Sequence, residues 1–216
     1  MITDTGATGF LDLDALDATP LQRDPFDYIS VPGFLYPERL TDVIRDFPAT
    51  DKPGNRSPDE LDSGPAFAAL VDELFSPALV DALSRKFGVD LSECVPNLTV
   101  RTRCEPSDGH IHPDHWTKVL TALIYPNEKW EPEAGRLRLL RSADDLESHV
   151  IEVPPEGGNL LAFRRCDHSF HGHHRHEGPR NLMQLSWVRP SRVARSVQAL
   201  TRLGTRLMKS LGLHKT

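Results

Sequence analysis

Cysteine is scarce in this chain, and long apolar runs are absent. The 216 residues include three cysteines, Cys94, Cys104 and Cys166, at irregular spacing, which is typical of a reduced cytoplasmic protein rather than of a disulfide-stapled one. No run of about 18 apolar residues occurs, so no transmembrane segment is predicted. The N-terminus lacks the basic and apolar regions of a signal peptide. We therefore expect a cytoplasmic globular protein.

Acidic residues outnumber basic ones, and the basic ones are unevenly placed. The formal net charge is −6, from 25 Lys and Arg against 31 Asp and Glu. Seven basic residues and no acidic ones lie from Arg189 to the C-terminus, so the preceding part carries 18 basic and 31 acidic residues, a net charge of −13. Binding to phosphates needs a basic face, and this acidic body therefore argues against nucleic acid as a partner.

Helix signals are concentrated in the first half of the chain. Residues 1–20 are polar and acidic, and they predict an N-terminal arm or a short helix. A proline near the first turn and apolar residues at positions i, i+3, i+4 and i+7 predict a helix over Pro37–Phe47. A second helix is predicted over Pro65–Phe75, and a third follows between Ser76 as N-cap and Gly88 just past its end.

Strand signals dominate from residue 96 onward. Short runs of β-branched and aliphatic residues alternate there with turn residues, which favours a barrel or sandwich after the helices. A further short strand is predicted before the first long helix. The predicted strands are Phe26–Val31, Leu98–Arg103, Lys118–Tyr125, Arg136–Leu140, His149–Val153, Asn159–Phe163 and Asn181–Val188. The prediction is thus an α+β domain over residues 21–190, followed by a C-terminal helix in 191–216.

The C-terminal segment has the pattern of a basic amphipathic helix. Its apolar stripe consists of Val193, Val197, Leu200, Leu203, Leu207 and Leu211. Arginine and lysine residues surround this stripe. Such a helix can dock on the acidic body, form the seam of a homodimer or lie on an anionic membrane as a peripheral contact, and the pattern does not separate these possibilities.

Two histidine-rich stretches carry the chemistry. In HIHPDHW, His112 and Asp114 are two residues apart, so on an extended segment both side chains project from one face and reach one ion. A distal histidine would complete a facial set of two histidines and one carboxylate, which suits non-haem Fe(II). We choose His171 as that ligand, with His168 as its competitor. A set of three histidines, with His110 in place of the carboxylate, is the rival.

Arg180 follows the second histidine-rich stretch after a Gly-Pro turn and begins a predicted strand. Its guanidinium offers a fixed, always charged fork for a carboxylate. The alternative is an arginine at a strand edge in a surface ion pair, which contributes little.

At these positions the sequence resembles the Fe(II)/2-oxoglutarate-dependent dioxygenases, in their prolyl-4-hydroxylase-like branch. The landmarks in chain order are His112-x-Asp114, LIYPN with Tyr125, EAGRLRLL, PPEGGNLLAF, SFHGH with His171 and GPRNLMQLSW with Arg180. The resemblance covers roughly residues 97–188. It implies a double-stranded β-helix (jelly-roll) core with N-terminal helices packed on it.

The resemblance also implies a site. Fe(II) would be held by His112, Asp114 and His171, 2-oxoglutarate would chelate the iron while Arg180 pairs with its distal carboxylate, and O₂ would bind at the remaining position. The implied reaction hydroxylates an unactivated C–H bond and releases succinate and CO₂. The presence of Asp114 disfavours the related halogenases, which lack that carboxylate.

The sequence departs from the family pattern near the first strand of the core. Thr102-Arg103 stand where the branch has a tyrosine that holds 2-oxoglutarate, and Leu182 stands where many members have Ser or Thr. We expect Tyr125 and Lys118 to supply further cosubstrate contacts. Weaker candidates for contact with the substrate are Arg103, His110 and Trp116.

The sequence therefore predicts a 2-oxoglutarate-dependent hydroxylase acting on a small or carbohydrate-like molecule. The alternative is a cupin-like metal-binding protein, either a sensor or an enzyme that needs no cosubstrate. Arg180 discriminates between them, because without a keto acid nothing requires a guanidinium beside the metal.

Overall fold

The computed structural model describes residues 9–50, 52 and 54–190. The helices in this part are α1 (Leu13–Ala18), α2 (Pro37–Arg45), α3 (Pro65–Leu74) and α4 (Pro77–Phe87), with short 3₁₀ helices at Pro58–Glu60 and Leu146–Ser148. The strands are β1 (Tyr28–Val31), β2 (Val95–Cys104), β3 (Lys118–Tyr125), β4 (Leu137–Leu140), β5 (His149–Val153), β6 (Asn159–Arg164), β7 (His171–Gly172) and β8 (Gly178–Val188).

Helix α4 begins and ends where its capping residues predict. The Ser76 hydroxyl oxygen accepts a hydrogen bond from the Leu79 backbone N–H at 3.3 Å, which satisfies one of the free donors of the first turn. Pro77 occupies the first helical position, where no backbone N–H is needed. Gly88 ends the helix in the left-handed conformation, with φ of 61°.

The strands form two antiparallel sheets. The larger has the order β1-β6-β3-β8-β2, and the smaller has the order β5-β4-β7. An isolated bridge between His112 and His171 adds the segment before β3 to the edge of the smaller sheet. Because the chain crosses between the two sheets several times after β2, residues far apart in the chain meet between them.

The larger sheet is covered on both faces. Leu160 and Ala162 of β6 belong to a cluster with helix residues such as Phe67 and Leu83. Leu161 and Phe163 of the same strand pack in a second cluster that reaches the smaller sheet. A strand buried on both faces reads as a continuous apolar run, which explains the sequence NLLAF.

The predicted mixture of helices and strands is confirmed, with differences in detail, and the paired strands are antiparallel. β7 has only two residues, which is too short for a strand pattern to show in the sequence, and it pairs with β4. β8 starts at Gly178, inside the predicted turn. The predicted arm contains α1, whose Leu16 is fully buried. The predicted C-terminal helix lies outside the described residues. Among the described helices, none has the length and hydropathy to cross a membrane.

Candidate metal centre

Backbone pairing brings the two histidine-rich stretches together. His112 and His171 exchange two backbone hydrogen bonds, each with an N···O distance of 3.1 Å. Asp114 lies two residues after His112, so it projects to the same side. One ligand atom from each of the three residues lies within 4.8 Å of the others. In the described part of the chain, this is the group of His, Cys, Asp and Glu side chains with the geometry to hold a metal ion.

Hydrogen bonds fix which nitrogen of each histidine faces the centre. His112 Nδ1 lies 2.8 Å from the carbonyl oxygen of His110, and His171 Nδ1 lies 3.0 Å from the carbonyl oxygen of Ser169. A carbonyl only accepts, so Nδ1 of both rings carries the proton. With the proton on Nδ1, the lone pair of Nε2 in the neutral form of each ring is free for a metal ion.

The charges of the group also suit a metal. Burial lowers the pKa of His171 to about 4, against the opposing effect of the Asp114 carboxylate, so the ring is neutral near pH 7. Burial by itself would raise the pKa of Asp114, but the positive charge of Lys118, together with His171 and hydrogen bonds, lowers it. A neutral His171 and an ionised Asp114 are in the protonation states that metal binding requires.

Two side chains of β3 hold the carboxylate of Asp114. Lys118 Nζ donates to Asp114 Oδ1 at 2.7 Å. The Thr121 hydroxyl donates to Asp114 Oδ2 at 2.5 Å, and it lies 3.4 Å from the Ser186 hydroxyl on β8. This network fixes the orientation of the Asp114 carboxylate, and it offsets the free-energy cost of burying that charged group.

The triad opens into a cavity of about 300 Å³ between the two sheets. Arg180 lies in its wall, 3% exposed. The guanidinium donates from Nε to the Gly135 carbonyl oxygen at 2.9 Å, and it contacts the Cys104 sulfur at 3.9 Å. No carboxylate pairs with it within the described residues. A buried cation without a counter-ion is unfavourable, so this position suits an anionic group.

Tyr125 presents a second unsatisfied polar group to the same cavity. The residue is fully buried, and apart from its contact with the Arg180 guanidinium its hydroxyl has no hydrogen-bond partner among the described residues. Its ring centroid is 5.2 Å from the Arg180 guanidinium carbon. Burial raises the pKa of the Tyr125 hydroxyl, against the opposing charge of Arg180, so the group is a neutral donor. A carboxylate between the two residues would satisfy both.

The donor set therefore fits Fe(II), and the arginine and tyrosine fit a carboxylate group. Two imidazole nitrogens and one carboxylate oxygen match the facial arrangement that leaves further coordination positions open.

The remaining predicted site residues divide into two groups. Lys118 and His110 line the cavity, although His110 itself is exposed. Arg103 lines a separate depression, where it lies 3.8 Å from Glu177, and Trp116 is 62% exposed. Neither lines the cavity of the triad.

The competing ligand sets are not assembled. His168 is exposed and lies in a different depression beside Phe26. His110 does not join His112 and His171 in the ligand group found within the described residues.

Further residues line the cavity. By strand period Arg101 and Arg103 would share one face of β2, but only Arg101 lines the cavity, because β2 is irregular between the two residues. Asp108 also lines the cavity and pairs with Arg101 at 2.5 Å. The sequence has no local signal for this bulge or for Asp108.

His173 and Gln184 also line the cavity. His173 is buried, which lowers its pKa to about 4. The sequence contained a signal for Gln184, because every second residue of a strand lies on the same face, and Gln184 therefore shares a face of β8 with Arg180 and Leu182.

Comparison with known proteins finds similarity in structure and not in sequence. The chain matches no family in a scan of protein-family models, and no curated protein sequence matches it. A prolyl 4-hydroxylase from Phytophthora capsici superposes with a TM-score of 0.53 at 16% identity, over 85% of this chain and 67% of the other.

Two further structures are similar. A Pseudomonas putida prolyl-4-hydroxylase gives a TM-score of 0.49 at 18% identity, over 82% of this chain and 90% of that one. AviO1 from Streptomyces viridochromogenes Tue57 gives 0.47 at 14% identity, over 85% and 98%. The Phytophthora comparison shows that this chain has a prolyl-4-hydroxylase-like fold. The resemblance that the sequence motifs predicted is thereby confirmed at the level of the fold, and a His-Asp-His group lies within it.

Proposed function

We propose that this protein is an Fe(II)- and 2-oxoglutarate-dependent dioxygenase that hydroxylates an unactivated C–H bond and releases succinate and CO₂. One observation carries the proposal. The triad of His112, Asp114 and His171 shares a cavity with Arg180, a buried guanidinium that has no carboxylate partner in the described chain.

Each residue would have a defined part. The triad would hold Fe(II), and Arg180 would bind the distal carboxylate of 2-oxoglutarate with a donor from the Tyr125 hydroxyl. When bound, iron and cosubstrate supply the oxidising chemistry that no side chain provides. The apolar wall of the cavity excludes water from the centre. That wall is formed by Leu123, Leu137, Phe163 and Leu182.

The proposed architecture is a double-stranded β-helix. From β2 to β8 the chain crosses repeatedly between the two sheets: the larger contains β2, β3, β6 and β8, and the smaller contains the His112 segment, β4, β5 and β7. Two antiparallel sheets connected in this way are typical of a jelly roll, which supports the proposal.

For the substrate, we propose a small polar or carbohydrate-like molecule. The cavity volume of about 300 Å³ is at the small end for ligand sites. Asn55, Asp108, His110 and Gln184 supply hydrogen-bonding groups around it. Arg180 and Tyr125 do not support the cupin-like alternative, because a metal-binding protein that binds no keto acid has no use for them.

The test is spectroscopic and chemical. The Fe(II)-loaded protein, mixed with 2-oxoglutarate without oxygen, should develop the weak visible charge-transfer absorption of a chelated keto acid. With oxygen it should form succinate. When metabolites and sugar nucleotides are tested one by one, the compound that is the substrate should give the fastest succinate formation. An Fe(II)-loaded protein that shows neither absorption nor succinate would be a cupin-like metal binder, and the proposal would be wrong.

A further inference from the structure

The ammonium group of Lys118 lies against the carboxylate that would hold the metal. Its Nζ is 2.7 Å from Asp114 Oδ1, and the Lys118 side chain is 17% exposed. The other oxygen of Asp114 accepts from Thr121. Both carboxylate oxygens are therefore engaged, and Lys118 supplies the positive charge that compensates this buried acid.

A metal ion in the triad would take over that compensation. Asp114 would then interact with a divalent cation, and Lys118 would stand beside the same carboxylate as a neighbouring positive charge. Like charges in a partly buried site repel strongly, because little water screens them.

The cavity offers no other acid to Lys118. Among the described residues, its acidic side chains are Asp108 and Asp114, and Asp108 already pairs with Arg101 at 2.5 Å. The remaining basic side chains are Lys118 and Arg180. With the metal bound, both of these cations would lack a counter-charge from the described chain.

We infer that Lys118 exchanges partners: it compensates Asp114 when no metal is bound, and it receives a carboxylate of a bound ligand once the metal is present. This inference rests on the proposed function, in which Arg180 takes the distal carboxylate of 2-oxoglutarate. The carboxylate at Lys118 has two sources, the one next to the keto group of 2-oxoglutarate or one on the primary substrate.

The first test measures metal affinity rather than activity. Zn(II) is titrated into the metal-free wild-type protein and into metal-free Lys118→Met in a calorimeter. Zn(II) is chosen because it is not redox-active, so no reaction accompanies binding. Loss of the repelling charge should make Zn(II) binding about tenfold tighter. Lys118→Arg keeps the charge and should resemble wild type, and Lys118→Gln serves as a second neutral variant if Lys118→Met does not fold.

Lys129→Met is the matched control, because Lys129 pairs with Glu131 on the surface at 79% exposure. It should leave Zn(II) affinity unchanged. If both neutral Lys118 variants bind Zn(II) more weakly than wild type, the lysine only holds Asp114 in place for the metal, and the inference is overturned.

The second test identifies the source of the carboxylate. Zn(II)-loaded proteins are titrated with 2-oxoglutarate and with levulinate, a keto acid that lacks the carboxylate next to the keto group. If that carboxylate binds Lys118, Lys118→Met should weaken 2-oxoglutarate binding about tenfold and leave levulinate binding unchanged.

If the carboxylate belongs to the substrate, 2-oxoglutarate binding should be unchanged, and binding of acetate to the Zn(II)- and 2-oxoglutarate-loaded protein should weaken instead. Equal affinities of wild type and Lys118→Met for all three anions would overturn the inference. A wild-type protein that binds no 2-oxoglutarate would refute the proposed function alone, since the Zn(II) comparison does not depend on the keto acid.

Discussion

Replacing Arg180 by Met should separate the stability of the protein from its affinity for 2-oxoglutarate. Arg180 is 3% exposed and has no anionic partner in the described residues. Its desolvation costs several kcal/mol in the ligand-free protein. Against that cost stand one hydrogen bond to Gly135, worth about 1 kcal/mol, and the contact with the Tyr125 ring, worth about 2 kcal/mol. We therefore expect ligand-free Arg180→Met to melt no lower than wild type.

The effect on cosubstrate binding should be large. Removing one partner of a buried, hydrogen-bonded charge pair costs about 2–5 kcal/mol. A loss of about 3 kcal/mol weakens binding roughly 150-fold. At a ligand concentration of about 100 times the wild-type Kd, 2-oxoglutarate stabilises wild type by about 2.7 kcal/mol, and the variant by only about 0.3 kcal/mol. For a protein of this size, the melting temperature should rise by about 5–11 °C in wild type and by about 1 °C in the variant.

The assay is thermal unfolding of the Zn(II)-loaded proteins with and without 2-oxoglutarate. Arg103→Met is the matched control, because Arg103 lies on the neighbouring strand, outside the cavity, and is partly exposed. It should keep the full ligand-induced shift. The reasoning fails if Arg180→Met melts several degrees lower without ligand and still shows the wild-type shift, because Arg180 would then be a structural residue and not a carboxylate receptor.

Three further predictions concern the metal, pH and the backbone. His171→Ala should abolish Zn(II) binding measured by calorimetry while His168→Ala leaves it intact, and loss in both variants would contradict the chosen ligand set. Burial lowers the pKa of His171 and His173 to about 4, so below about pH 6.5 the unfolded chain takes up protons that the folded chain refuses. In urea unfolding of the metal-free protein, the free energy of unfolding should therefore fall by about 1.4 kcal/mol per pH unit for each ring as the pH is lowered from about 6.5 to 4. His173→Gln should reduce that slope. An unchanged slope would mean that His173 titrates normally. Gly158→Ala should destabilise by at least about 2 kcal/mol, because φ is +69° and the new Cβ would lie 2.6 Å from a side-chain carbon of the loop before α2. Gly157→Ala, with φ of +61° and no close contact, should cost only about 1 kcal/mol, and equal losses in the two variants would contradict the role of the clash.

Local sequence signals predicted most elements because their causes are local. The cap at Ser76 and the left-handed Gly88 act within one turn of α4, so the sequence marks both ends of that helix. The run over β6 is apolar because both of its faces are buried. β7 had no such signal, since a strand of two residues exists only through its pairing with β4.

The candidate ligands were also visible in the sequence, because the chemistry of an H-x-D pair and a distal histidine fixes residue types and their order. That His112, Asp114 and His171 meet within 4.8 Å depends on pairing between segments almost 60 residues apart.

The sequence alone predicted most helices and strands, the candidate ligands including His171, and the arginine that follows them, because capping, strand period and ligand chemistry are properties of residue type and spacing. Tertiary structure alone brought the three candidate ligands within reach of one ion, paired Lys118 with Asp114, and placed Arg101 but not Arg103 at the cavity. Those contacts depend on strand register and on one irregularity in β2. Neither can be predicted from the types of the residues that make the contacts.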